Sequence, residues 1–202
     1  MGESEDNFWM TTNRIETLVD GIFAIAMTLM VLSLVVPEIT GPLSDNLVNN
    51  EISSLYPKFL IFVISFVLLA LFWTIHHRSF HIIKKADRIL LWINLIWLLF
   101  IVMVPFSQTL IGEYGDFFGP HLVYNLNMLG IAVFITFNWL YAIKSGLIDK
   151  GSSKKVISDM TKGCLVFLFV ALLAVILTFI IPQWTSLTYI LIIPLEIIFG
   201  RL

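Results

Sequence analysis

Residues 17–36 read Thr17-Leu18-Val19-Asp20-Gly21-Ile22-Phe23-Ala24-Ile25-Ala26-Met27-Thr28-Leu29-Met30-Val31-Leu32-Ser33-Leu34-Val35-Val36, and the only charge among them is Asp20. An α-helix rises about 1.5 Å per residue, so a hydrocarbon core about 30 Å thick takes roughly 20 apolar residues to cross. This run has that length, and the chain repeats it at Pro57 to His76, Ile89 to Ile111, Leu122 to Ile143, Gly163 to Ile181 and, more briefly, Trp184 to Phe199. Turn residues punctuate the intervals where helices should end: Gly41, Pro42, Asn49 and Asn50 within Pro37 to Leu55, then Gly112 to Pro120, Gly151 to Ser153, and Pro182. Composition agrees. Of 202 residues, 58% are hydrophobic and 13% charged, and the mean hydropathy is +0.93. Soluble domains carry about a quarter charged residues, so no soluble core of this size would hide so much apolar surface. The expected fold class is an all-α integral membrane protein with six transmembrane helices, forming a single domain over residues 1–202.

Orientation follows from the basic residues, because cytoplasmic loops are enriched in them. One face collects Arg14, Arg78, Lys84, Lys85, Arg88, Lys144, Lys150, Lys154, Lys155, Lys162 and Arg201, and the other has Lys58. Glu38, Asp45, Glu51, Glu113 and Asp116 fall on the Lys58 side. An even number of spans returns the chain to the face it left, so both termini are expected in the cytoplasm, as for a multi-pass protein of the cell membrane. Glu3, Glu5 and Asp6 do not suit a signal peptide, so the N-terminus is expected to remain in the mature protein. The outer loop from Pro37 to Leu55 and the inner loop from Lys144 to Lys162 read as solvated connections.

Several chemistries fall away. The single cysteine, Cys164, cannot form an intrachain disulfide or a cysteine-cluster metal site and reads as a small buried hydrophobe. A net charge of -2 lacks the basic footprint of a nucleic-acid binder. His77 and His81 are four residues apart and share a helical face, but no carboxylate or thiol nearby completes a metal set. No metal or other cofactor is expected.

Ionisable groups inside spans cost about 2.5–3.5 kcal/mol at the bilayer centre on insertion scales, so each asks for a partner or a purpose. The charge-free stretch Gly21 to Val36 reaches only about 24 Å, so the first helix must begin before Asp20, which lies just inside the inner boundary. Two readings stand for Asp20. It caps the helix or faces headgroups, where a helix N-terminus favours an anion, or it joins a polar network between helices. Arg14 is six positions earlier, about 240° around the helix, and cannot pair with it as a helical neighbour. Candidate partners are His76, His77, Arg78 and Asn94. Glu196, near the inner end of the last run, reads as snorkelling or lipid-facing. Asn94, Gln108, Asn125, Asn127 and Asn138 are amides of the kind that bond between helices.

The stretch from Arg14 to Leu29, Arg14-Ile15-Glu16-Thr17-Leu18-Val19-Asp20-Gly21-Ile22-Phe23-Ala24-Ile25-Ala26-Met27-Thr28-Leu29, resembles the prokaryotic relatives of the endosomal and lysosomal potassium channel transmembrane protein 175. That family carries an arginine, three residues, Phe-Ser-Asp, and then a helix of the form Gly-x-Phe-Ala-Ile-x-x-Thr-Leu. Phe72-Trp73-Thr74-Ile75-His76-His77-Arg78-Ser79-Phe80 adds to the likeness, as does Asp87-Arg88-Ile89-Leu90-Leu91-Trp92-Ile93-Asn94-Leu95 running on to Pro105-Phe106. The motifs cover the first three spans, about half the chain. The resemblance implies a homotetramer in the lipid bilayer around a central pore lined by the first helix. It also implies an inter-helix network of Arg14, Asp20, His77 and Asn94. Leu18-Val19 replaces the family's Phe-Ser, which removes one hydroxyl from that network.

No Thr-Val-Gly-Tyr-Gly segment exists here to build a carbonyl filter. On the first helix Ile25, Leu29 and Leu32 fall within about 60° of one another, with Thr28 on the flank of the same stripe. Such a stripe is ordinarily a packed seam. The resemblance implies instead that Ile25, Leu29 and Leu32 form a hydrophobic pore constriction and that Thr28 contributes to preference for potassium over sodium ions, in a leak-type channel. Other classes remain beside it. Asp20 and the histidines suit a proton-coupled or proton-permeable transporter, although neither internal repeats nor broken helices are evident. An intramembrane enzyme would need a nucleophile and base that these residues do not supply, so the chain does not read as an enzyme. A passive scaffold would show no ion flux for Arg14 and Asp20 to alter.

Overall fold

The computed structural model describes residues 11–37, 39, 42–192 and 194–195. Helix α1 spans Thr12–Leu29 and tightens into a 3-10 turn at Met30–Ser33. It is followed by α2, Asp45–Ser54; α3, Tyr56–Ile82; α4, Arg88–Val102; α5, Val104–Tyr114; α6, Phe118–Lys144; and α7, Lys154–Thr178. A second 3-10 segment runs over Pro182–Leu191. Among the described residues, five stretches are long and apolar enough to cross a membrane: Thr12–Ser33, Asp45–Ile82, Arg88–Tyr114, Phe118–Lys144 and Lys154–Thr178. This is a multi-pass, all-helical membrane protein.

The described part of the expected sixth span takes another form. Over Pro182–Leu191 the backbone is 3-10 rather than α. At about 2.0 Å per residue, ten residues reach about 20 Å, short of a hydrocarbon core. Helical Ile192, Pro194 and Leu195 follow, while Glu196 and Arg201 lie outside the described residues. Hydropathy cannot distinguish the two helix types, because both satisfy the backbone locally.

The expected loops are shorter than the hydropathy windows made them. Ser44 caps α2, its Oγ accepting from Leu47 N at 3.3 Å, so part of the Pro37 to Leu55 connection is helical. Likewise α7 starts at Lys154, capped by Ser153, rather than at Gly163. Its first turns are too charged for an apolar window but not for a helix. The basic connections at the two ends of this face pair with each other: Lys84 N donates to Leu147 O at 3.0 Å and Asp149 N to Ile82 O at 2.9 Å. Gly146, with φ 67°, makes the reversal that brings Leu147 into that pairing. Asp87 caps α4 through Oδ1, 2.7 Å from Leu90 N, and its Oδ2 accepts from Tyr141 OH at 2.6 Å, tying α4 to α6.

The core is centred on α6, which packs on α4, α5, α7 and the Pro182–Leu191 segment. Tyr124, Met128, Ile131, Ala132, Trp139 and Ala142 on α6 are buried there, and so is Cys164 on α7. Amides stitch the interior. Asn125 Nδ2 donates to Thr178 Oγ1 at 2.8 Å and to Thr185 Oγ1 at 2.9 Å, and its Oδ1 accepts from Tyr189 OH at 3.0 Å. Gln108 Nε2 donates to Ser33 Oγ at 2.9 Å, fixing the end of the first span to α5. Helix α1 sits at the edge, against α3, α4 and α5. Only 28% of its apolar window is buried, against 50% for α6.

Candidate functional site

Helix α1 divides into two faces. Ile15, Val19, Phe23, Ala26 and Met30, spaced by three or four, are buried against the bundle. Phe23 meets Trp97 of α4 with ring centroids 5.5 Å apart. Ile25 lies about 200° from Phe23 around the helix, and the face it heads is open: Ile25 is 60% exposed, Leu29 46% and Leu32 68%, with Thr28 and Leu18 also exposed. The four stripe residues therefore share one unburied side of one helix. Because Met30–Ser33 is 3-10, where residues three apart eclipse, Leu32 stands directly over Leu29.

The Thr28 hydroxyl turns back on its own helix. Its Oγ1 donates to the carbonyls of Ala24 and Ile25, each at 2.9 Å. The one hydroxyl proton is thereby committed to the backbone, and the oxygen presents only lone pairs outward. On the open face of α1, Thr28 is an acceptor, the polarity suited to a cation.

The four residues expected in one network are not gathered as expected. Asp20 Oδ1 accepts from Trp73 Nε1 at 2.8 Å, and Trp73 stacks on His77 with centroids 5.4 Å apart and an interplanar angle of 13°. It is His76, not His77, that meets Asn94: its Nε2 lies 3.0 Å from Asn94 Oδ1, and the ring stacks on Phe80 at 4.2 Å and Trp97 at 4.9 Å. Adjacent helical residues point about 100° apart, so His76 faces the core and His77 the exposed side. Arg14 is exposed and, among the described residues, forms no ion pair. Val19, in the place of the family's serine, is a core residue at 1% exposure. Sequence reasoning missed Trp73. It stands inside the Phe72 to Phe80 motif, and an indole is the natural donor for a carboxylate near a membrane boundary. His77 and His81 gain no third ligand among the described residues.

Residues 14–105 match the family described as "Endosomal/lysosomal potassium channel TMEM175". Over that stretch, a little under half of its length, the chain is similar to the TMEM175 family. A protein of Streptomyces collinus called a potassium channel is 30% identical over 139 residues, 67% of this chain and 66% of the relative. Another potassium channel, from Chamaesiphon minutus, is 38% identical over 103 residues, 51% of this chain and 50% of the relative. The chain thus spans half to two thirds of the length of these curated relatives. A crystal structure described as a lysosomal potassium-selective channel TMEM175 homolog from Chamaesiphon minutus superposes with a TM-score of 0.80 at 28% identity, covering 94% of this chain and 98% of that one. The TMEM175 family match contains α1, α3 and α4, and so both the open stripe and the Asp20, Trp73, His76 and Asn94 contacts.

Proposed function

We propose that this chain is one protomer of a potassium-selective, leak-type channel of the plasma membrane. In this reading four copies surround a pore lined by α1, and both termini lie in the cytoplasm. The observation that carries the reading is the open face of α1: a helix of the family's matched segment keeps Ile25, Thr28, Leu29 and Leu32 unburied along one side. Fourfold repetition would turn that side into stacked apolar rings and one ring of acceptor oxygens. An apolar ring favours the ion that releases its water more cheaply, which is potassium rather than sodium, and the Thr28 oxygens offset part of that release. Such discrimination is weaker than a carbonyl cage gives. Trp73 of α3 holds Asp20 of α1, and His76 of α3 holds Asn94 of α4, two of the helices that α1 packs on. In this reading they position the pore helix and do not touch the ion.

The test is cation flux in vesicles reconstituted with the protein, comparing potassium, sodium and protons. Potassium flux exceeding sodium flux, running down its own gradient without a second solute, is expected. Ile25→Ala should raise flux by widening the constriction, and Thr28→Ala should lower the potassium-to-sodium ratio by about fivefold, the scale of one lost hydrogen bond. If both variants conduct as the parent does, this stripe is not the pore. Flux that requires a proton gradient would make the protein a coupled transporter.

A further inference from the structure

A cavity of about 410 Å³ opens between the ends of α3, α5 and α6 and the Pro182–Leu191 segment, on the face away from the basic connections. No residue of α1 lines it, so it is separate from the stripe assigned to the pore. Its wall includes Lys58, Glu113, Asp116, His121, Trp184 and Ser186. Lys58 Nζ and Glu113 Oε1 form an ion pair at 2.6 Å, while Asp116 is exposed and leaves the wall with one carboxylate more than it has cations.

Two buried groups in this wall lack a protein partner. His121 is 2% exposed and Ser186 8%, and neither His121 Nδ1 nor Ser186 Oγ makes a hydrogen bond. The state of the histidine follows from its other nitrogen. His121 Nε2 lies 2.7 Å from the Gly115 carbonyl, which can only accept, so Nε2 carries the proton. In the neutral ring Nδ1 is then a bare lone pair. The unused capacity of the wall is therefore mainly acceptor capacity: His121 Nδ1, the Asp116 carboxylate and the second oxygen of Glu113. Buried polar groups in proteins are almost always paired, so two orphans beside one cavity point to an occupant that supplies what they lack.

The occupant must bring N–H or O–H donors and positive charge. Among the described residues no set of three histidine, cysteine or carboxylate ligands gathers to hold a metal ion, so a metal does not answer this description. A primary ammonium group does. It carries three donors and a unit charge, and the Trp184 ring offers a cation a favourable face. We propose that this cavity binds a primary ammonium group. Two sources share that chemistry, the headgroup of an ethanolamine phospholipid and a free small amine. A trimethylated ammonium has the charge without the donors and does not satisfy His121.

The test measures binding without any ion flux, so its outcome is independent of whether the chain conducts. The intact protein is placed in nanodiscs of phosphatidylcholine alone and, separately, of phosphatidylcholine mixed with phosphatidylethanolamine. Retained lipid is identified by native mass spectrometry, and the unfolding temperature is followed as ethanolamine or choline is added to the first sample. Expected is selective retention of phosphatidylethanolamine, a saturable rise in unfolding temperature with ethanolamine, or both, with no response to choline. Retention without an ethanolamine response assigns the lipid as the source; an ethanolamine response shows that the free amine suffices. Asp116→Asn should weaken binding about tenfold, the worth of one hydrogen bond to a charged group, without lowering the unfolding temperature of the unliganded protein. His121→Gln should weaken it similarly. Should that buried variant fail to fold, exposed Asp116 still carries the test. Equal responses to choline and ethanolamine, parental binding by Asp116→Asn, or no response to either source overturns the proposal.

Discussion

At the scale of single residues, the pair His76 and His77 shows how much one step along a helix decides. Both are histidines of one motif at the same depth, yet His76 is sealed between Phe80 and Trp97 and bonded to Asn94, while His77 lies on the exposed side against Trp73. Truncating the first opens a ring-sized hole and strips Asn94 Oδ1 of its donor. Truncating the second removes one stacking contact at a surface. His76→Ala should therefore cost about 3 kcal/mol of stability, and His77→Ala less than about 1 kcal/mol. Thermal or denaturant unfolding of the reconstituted variants measures the difference. A larger loss for His77→Ala would mean that the two rings are placed the other way round, and equal losses would mean that neither is the core residue. Asp20 carries the same lesson: its sequence position announced a costly carboxylate, but only the packing of α1 on α3 brought Trp73 to it.

At the scale of elements, the Pro182–Leu191 segment depends on polar contacts more than on its own length. Asn125 of α6 reaches Thr178 on α7 and both Thr185 and Tyr189 on the segment. Interhelical hydrogen bonds in membranes are worth about 0.6 kcal/mol each on average, since unfolded helices in lipid also find partners. Losing three of them makes Asn125→Ala about 2 kcal/mol less stable. It should also loosen this segment before the rest, read as faster hydrogen exchange over residues 182–191 than over α4. The amide was legible in the sequence as inter-helix glue. Its partners were not, because they sit 53 to 64 residues away in the chain.

At the scale of the whole molecule, the basic residues make a statement about sidedness that labelling checks directly. In a Cys164→Ala background, Ser53→Cys on α2 and Ser152→Cys beside the start of α7 place one thiol at each face, both positions being far from the core. A membrane-impermeant maleimide added to intact cells should label the Ser53→Cys protein and reach the Ser152→Cys protein only after the membrane is permeabilised. The reverse pattern would invert the orientation inferred from the lysines and arginines. The open side of α1 also belongs to this scale. In a single chain it is the exposed edge of the bundle, and under the proposed assembly neighbouring copies would enclose it as a pore wall.

The sequence by itself determined the class, the place of the five long spans, and the likeness to the TMEM175 family, because a bilayer demands about 20 apolar residues per crossing and the motifs of α1, α3 and α4 are local strings. It also marked Ile25, Thr28, Leu29 and Leu32 as one stripe, since helical periodicity needs no tertiary information. Only the tertiary structure decided that this stripe is the unburied side of its helix, that His76 rather than His77 meets Asn94, and that Trp73 serves Asp20. The physical reason is the same in each case. Hydropathy reports how badly a residue wants to leave water, while lipid and protein interior satisfy that equally well, so which side of an apolar helix faces the bundle is settled by packing alone.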